Sequence, residues 1–188
     1  VYRAEGGGPR PAVIMGHGLA GTREMGLDAY AQRFAEAGIT VIVFDYRTFG
    51  DSTGEPRRLL SIPRQLADWE AAIERTIQEL GGLNIVVNNA GIEISGLIVD
   101  AQADDLRRML EVNVLGTVRL TKALLPALVA SGAGDVLFVT STAGLVTYEN
   151  GSSYTAAKHG EHALAGALRL ELVGQPVRVI EIAPGMVH

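Results

Sequence analysis

Apolar positions along the chain follow two alternating rhythms. Runs of strand length recur at Ala12 to Met15, Thr40 to Phe44, Asn84 to Val87, Asp135 to Val139 and Val177 to Ile182. Between them apolar residues return every three or four positions, the period of a helix packed on one side. Leu27, Tyr30, Ala31 and Phe34 mark one face of a first helix. Ile62, Leu66, Trp69, Ile73, Ile77 and Leu80 mark a second, and Leu59 to Leu80 reads as a single helical region. Leu106 to Leu128 and Tyr154 to Leu172 supply two longer helices, each delivered to the next strand by a Gly-containing or Gln-Pro turn. Strand runs that are apolar on nearly every residue imply burial on both faces. The sheet is therefore expected to be parallel, with helices on each side and right-handed crossovers. One α/β domain over residues 1–188 follows: a doubly wound parallel sheet in a three-layer αβα sandwich.

Composition narrows the function. The 188 residues suffice for one full hydrophobic core. A formal net charge of -5 with no Lys/Arg run leaves no footprint for nucleic acid or an anionic membrane surface. No stretch approaches the ~18 uninterrupted apolar residues of a bilayer span, and the start lacks a signal peptide's basic and apolar regions. With no cysteine there is no disulfide, no thiolate chemistry and no Cys-ligated zinc, which fits a cytoplasmic protein. His17, His159, His162 and His188 lack metal-ligand spacing, so no metal is expected. The ends, at Val1 and at Met186-Val187-His188, read as trimmed.

Chemistry concentrates in the second half. Tyr154 and Lys158 are four residues apart at the start of a helix, so both side chains leave one face about a turn apart. A tyrosine with its reference pKa near ~10 is a poor base at neutral pH, and an adjacent ammonium would stabilise its phenolate. Ser141 closes the strand Asp135 to Val139, at the strand end that faces the ligand crevice of a parallel sheet. Around these residues stand Asn88-Asn89-Ala90-Gly91, Asn113-Val114-Leu115-Gly116, Thr140-Ser141-Thr142-Ala143-Gly144, Tyr154-Thr155-Ala156-Ala157-Lys158 and Pro184-Gly185. In that order and spacing, residues 81–188 resemble the catalytic half of the short-chain dehydrogenase/reductase family. The resemblance implies Tyr154 as acid/base, Lys158 as the group that lowers its pKa and holds the nicotinamide ribose, Ser141 as the anchor of the substrate oxygen and Asn113 in a proton relay. It also implies cofactor contacts at Asn89, Ala90, Gly91, Pro184 and Gly185, and hydride transfer between a nicotinamide cofactor and a carbonyl/alcohol carbon.

The first half reads differently. Gly16-His17-Gly18-Leu19-Ala20-Gly21 follows a strand and precedes a helix, so Gly16, Gly18 and Gly21 spell G-x-G-x-x-G, and Asp45 ends the next strand where an acid would bind the adenosine ribose. Asp45 would repel a 2'-phosphate and Arg47 could accommodate one, so the cofactor is NAD or NADP, with a lean to NAD. Yet Pro11 to Gly18 and Val43 to Ser52 more closely resemble the start of an alpha/beta-hydrolase, whose nucleophile elbow G-x-S-x-G does not occur on the next strand. The chain thus reads as a hybrid, residues 1–80 hydrolase-like and 81–188 dehydrogenase-like. Splicing the two topologies gives five strands in the order 2-1-3-4-5, a Rossmann- or flavodoxin-like sheet without the third strand of a short-chain dehydrogenase.

Three functions are consistent with this reading: an NAD(P)-dependent oxidoreductase acting on a small-molecule carbonyl or alcohol, a hybrid or engineered scaffold without native activity, and a hydrolase relic. Small residues at Ala156, Ala157, Gly160, Ala163 and Gly166 leave room for close helix packing. The family resemblance implies a homodimer through the helices at 102–130 and 154–172.

Overall fold

The computed structural model describes residues 1–6, 10–16, 22–59, 61–80 and 82–185, without the side chains of Ile62 and Leu80. Five strands, β1 (Ala12–Gly16), β2 (Thr40–Phe44), β3 (Ile85–Asn88), β4 (Gly134–Val139) and β5 (Val177–Ile182), form one parallel sheet in the order β2-β1-β3-β4-β5. The predicted strands lie within one residue of these bounds, and the predicted order holds. Five α-helices accompany them: α1 (Leu27–Glu36), α2 (Ile62–Leu80), α3 (Ala103–Met109), α4 (Thr117–Ala130) and α5 (Ser152–Glu171). The chain divides into two compact units, residues 1–86 with 123–134, and residues 87–122 with 135–188.

In the first unit β1 and β2 pair in register from Ala12 with Thr40 to Gly16 with Phe44. Tyr2 adds an antiparallel bridge on Val41, its N–H and carbonyl both bonded at 2.8 Å. Val13, Ala31 and Val41 are essentially sealed from solvent, and Phe34, Ile39 and Val43 pack on them. Helix α1 ends where Gly38 takes φ +87°: Gly38 N–H donates to the Ala35 carbonyl and Ile39 N–H to that of Phe34. This paired closure uses carbonyls that the helix end leaves over, and it needs a residue at ease with positive φ. Two positions expected on buried helix faces are instead exposed, Tyr30 at 65% and Ile77 at 41%. The apolar stripe is narrower than the residue period suggested, because both lie at its margin.

The long helix expected at Leu106 to Leu128 begins earlier, at Ala103, and is not uniform. Leu110–Gly116 forms a π-helical segment between α3 and α4. By length and composition alone the helix over Ala103–Ala130 is apolar enough to cross a membrane, although its charged residues leave no uninterrupted apolar run of that length. Asn113, Thr117 and Thr121 are buried along it. Predicted Tyr154 to Leu172 corresponds to α5, displaced by two residues at its start and one at its end.

Candidate active site

Helix α5 places Tyr154 and Lys158 one turn apart, and the Lys158 ammonium stands 5.8 Å from the Tyr154 ring centroid. The helix can start here because Gly151 lets the Tyr148 ring cross its backbone: a Cβ at Gly151 would stand 2.4 Å from Tyr148 Cζ. Thr155 N–H then donates to the Gly151 carbonyl at 2.7 Å. Tyr154 and Lys158 line a cleft of about 210 Å³ with Asn89, Gly91, Glu93 and Thr140.

Ser141 follows β4 in extended conformation, and its hydroxyl accepts the Ala143 N–H at 3.1 Å as the cap of a short 3₁₀ turn, Thr142–Gly144. That turn touches α5 closely: a Cβ on Gly144 would meet the Lys158 carbonyl oxygen at 2.7 Å. The missing side chain is what lets the turn pack against the α5 backbone at Lys158. Burial holds the Tyr154 phenol above its ordinary value of 10, the hydrogen bond with Ser141 works against this, and the charges of Glu93 and Glu161 add to it. The family resemblance implied a tyrosine brought down by Lys158. Here burial is the main cause that holds the phenol up, while Lys158 Nζ donates to Glu161 Oε2 at 2.9 Å.

Asn113 is sealed from solvent at the centre of the π-helical segment. Its Oδ1 accepts the Ile92 N–H at 2.8 Å and its Nδ2 donates to the Ile92 carbonyl at 2.9 Å. Both ends of the amide are committed to the loop after β3, and its own carbonyl accepts the Thr117 hydroxyl at 2.8 Å. The role of Asn113 in this geometry is to fix residues 89–93. A Cβ on Gly91 would stand 3.4 Å from Asn113 Oδ1 and 3.6 Å from Lys158 Nζ, so the glycine keeps that edge of the cleft open. Asn89, Ala90 and Gly91 are exposed there. Across β4 and β5, the Thr142 N–H donates to the Pro184 carbonyl, which brings Pro184 and Gly185 beside the Ser141 loop.

Of the predicted cofactor residues in the first unit, Gly16 and Asp45 make contacts within the protein. Gly18 and Gly21 lie outside the described residues. Gly16 is bare because Trp69 fills the space, with Cζ2 2.9 Å and the Tyr46 hydroxyl 3.1 Å from where a Cβ would stand. Trp69 Nε1 donates to that hydroxyl at 2.8 Å and meets Phe44 edge-on at 5.0 Å. The Asp45 carboxylate, buried, accepts the N–H of Arg23 at 2.7 Å and of Asp51 at 3.3 Å, so it ties two loops together. Arg47 is held by Asp68, Nε to Oδ1 at 2.7 Å. The string Gly50-Asp51-Ser52-Thr53-Gly54 does spell G-x-S-x-G, a match the sequence reading passed over. It lies in the loop after β2, and the Ser52 hydroxyl donates to the Asp45 carbonyl at 2.7 Å. No strand–turn–helix elbow presents that serine.

Glu161, Glu93 and Glu181 were missed. The signal for Glu161 was present: Tyr154, Lys158, Glu161 and Ala165 share one stripe of α5, and an acid on a stripe with buried Ala157 and Ala165 is out of place unless paired. Among the described residues no group of three or more His, Cys, Asp or Glu is arranged to hold a metal ion.

The family model for short-chain dehydrogenases matches residues 20–188. That match takes in most of the stretch set apart as hydrolase-like, and the comparisons do not support a hydrolase segment or a hybrid. An uncharacterized oxidoreductase of Mycobacterium tuberculosis is 52% identical over 91 residues, 48% of this chain and 36% of that protein. The quorum-quenching protein AidA of Acinetobacter baumannii is 49% identical over 79 residues, 41% of this chain and 26% of that protein. The matches thus span about a third or less of these relatives. The structure of carveol dehydrogenase from Mycobacterium avium in complex with NAD superposes with a TM-score of 0.73 at 24% identity, over 94% of this chain and 70% of that one, a likeness of fold. The chain belongs to the short-chain dehydrogenase family.

Proposed function

We propose that the chain carries the catalytic side chains of an NAD(P)-dependent dehydrogenase/reductase for a carbonyl/alcohol substrate. The observation that carries this is the meeting of Tyr154 and Lys158 at one polar cleft, with the Ser141 hydroxyl hydrogen-bonded to Tyr154. A bound nicotinamide would supply or take up the hydride. Its ribose end fits the cleft by donor chemistry: Lys158 is an ammonium in the lining, Asn89 and Gly91 leave exposed backbone, and no Cβ stands at position 91. The Ser141 hydroxyl orients the substrate oxygen, and Tyr154 gives it a proton in reduction or takes one in oxidation. Asn113 keeps the 89–93 loop in position through Ile92.

At the adenosine end the support is thinner, since Asp45 is already bonded to Arg23 and Asp51. Its buried negative charge disfavours a 2'-phosphate, and Arg47 is neutralised by Asp68, so NAD is the better fit. The dimer expected through 102–130 and 154–172 draws on exposed Leu115 and Val118 with exposed Ala156 and Ala163, whereas Ala157 is buried within the subunit and Gly160 packs on Val114. Light scattering at two concentrations tests it. Placement in the cytoplasm rests on the absence of cysteine.

The deciding experiment is a titration of protein into NADH or NADPH, followed by fluorescence. Enhancement, stronger with NADH, is expected. No change at millimolar cofactor would sink the oxidoreductase reading in favour of a scaffold without activity. With p-nitrophenyl esters we expect no turnover above background.

A further inference from the structure

Glu161 lies one turn beyond Lys158 on α5, and the two side chains are only 5% and 6% exposed. Its Oε2 accepts the Lys158 ammonium at 2.9 Å, while its Oε1 is buried with no hydrogen-bond partner. A buried carboxylate that leaves one oxygen unsatisfied is costly, and a half-satisfied polar group of this kind calls for an explanation beyond packing. The neighbouring groups are few. Glu181 on β5 acts on Glu161 by charge, and itself accepts the Thr140 hydroxyl at 2.9 Å and holds His162 Nδ1 at 2.9 Å. Tyr154 stands one turn before Lys158, with Ser141 bonded to it, Glu93 acting on it by charge, and the neutral Asn113 amide and Gly91 beside the ammonium.

We infer that Glu161 is a positioning residue of this site: by holding the Lys158 ammonium and carrying a compensating charge, it sets how strongly Lys158 acts on the Tyr154 hydroxyl. The catalytic meaning of this rests on the oxidoreductase reading. Physically, an ammonium beside a phenol favours the phenolate, and a carboxylate at hydrogen-bond distance from that ammonium removes most of the effect. Tyr154 is raised chiefly by burial, and the Glu161 charge adds to this in the same direction. Glu161 therefore keeps the proton donor protonated to higher pH, which suits reduction of a carbonyl better than oxidation of an alcohol.

The test is a pH titration of protein labelled with ¹³Cζ-tyrosine, the Tyr154 resonance being assigned from Tyr154→Phe. In Glu161→Gln the Tyr154 midpoint should fall by roughly one pH unit relative to the unsubstituted protein, because a full negative charge about two helical turns away, in contact with the Lys158 ammonium, is gone. Glu161→Asp, which keeps the charge and loosens the contact, should move it the same way by less, and serves if Glu161→Gln fails to fold. In Lys158→Met the midpoint should rise more when Glu161→Gln is also present than when Glu161 is intact. A Tyr154 midpoint that stays within about 0.2 unit or rises in the Glu161 variants overturns the inference. NADH turnover is measured on the same samples. A lowered midpoint with no turnover in any protein keeps the pairing and removes the oxidoreductase; turnover with an unmoved midpoint does the reverse.

Discussion

Gly16 has two readings that differ by one carbon atom. As the first glycine of G-x-G-x-x-G it would bring backbone close to a pyrophosphate; in the structure it brings backbone close to Trp69 and the Tyr46 hydroxyl. Gly16→Ala would push a methyl into a contact already at its limit. We expect a loss of about 1–3 kcal/mol in urea unfolding, with a change in Trp69 fluorescence, the only tryptophan. A neutral result would mean the indole can move and the phosphate role deserves priority. For Ser141 the stake is kinetic. Ser141→Ala removes the hydroxyl that meets Tyr154 and caps the 3₁₀ turn, and on the scale of a lost transition-state donor kcat should fall about 10²-fold with KM nearly unchanged. Steady-state kinetics on any carbonyl substrate found would check this, and a pure KM effect would place Ser141 in ground-state binding.

At the scale of elements, the π-helical segment Leu110–Gly116 matters most to the site. Apolar periodicity announces one uninterrupted helix at Leu106 to Leu128, and it announces neither a π turn nor the doubly bonded Asn113–Ile92 pair within it, 21 positions apart. Asn113→Ala leaves the Ile92 N–H and carbonyl without these partners. The expected cost is about 1–3 kcal/mol, with faster hydrogen exchange at the Ile92 amide than in the unsubstituted protein; unchanged exchange there would mean the loop is held by something else. The strands were legible because their apolar runs are continuous, although β5 leaves Ile180 and Ile182 exposed; the Tyr154 and Lys158 pair was legible because its spacing is local. What stayed hidden depended on partners far along the chain. Asp45 has the position of a ribose acid, yet its bonds to Arg23 and Asp51 follow from loop closure. Tyr30 and Ile77 sit at the edge of their stripes, where periodicity alone does not decide burial.

For the molecule as a whole, the buried titratable groups determine how stability runs with pH. The Glu161 carboxyl is held above its ordinary value near 4.5, burial being the main cause, with Lys158 opposing and Glu181 adding. The folded state then binds its proton more tightly than the unfolded chain. The contribution is complete below the ordinary carboxylate value and is lost as pH rises through the raised folded value. Tyr46, raised mainly by burial, behaves alike further up: its contribution is complete below 10 and lost as pH climbs through the folded phenol's value. Urea unfolding across the acid-to-neutral range should therefore show a downward step with rising pH that is absent in Glu161→Gln. Parallel pH profiles for the two proteins would mean that Glu161 titrates as an ordinary surface acid. The same profile measured on Tyr46→Phe should differ only on the alkaline side, which separates the aromatic cluster around Trp69 from the ion pair on α5.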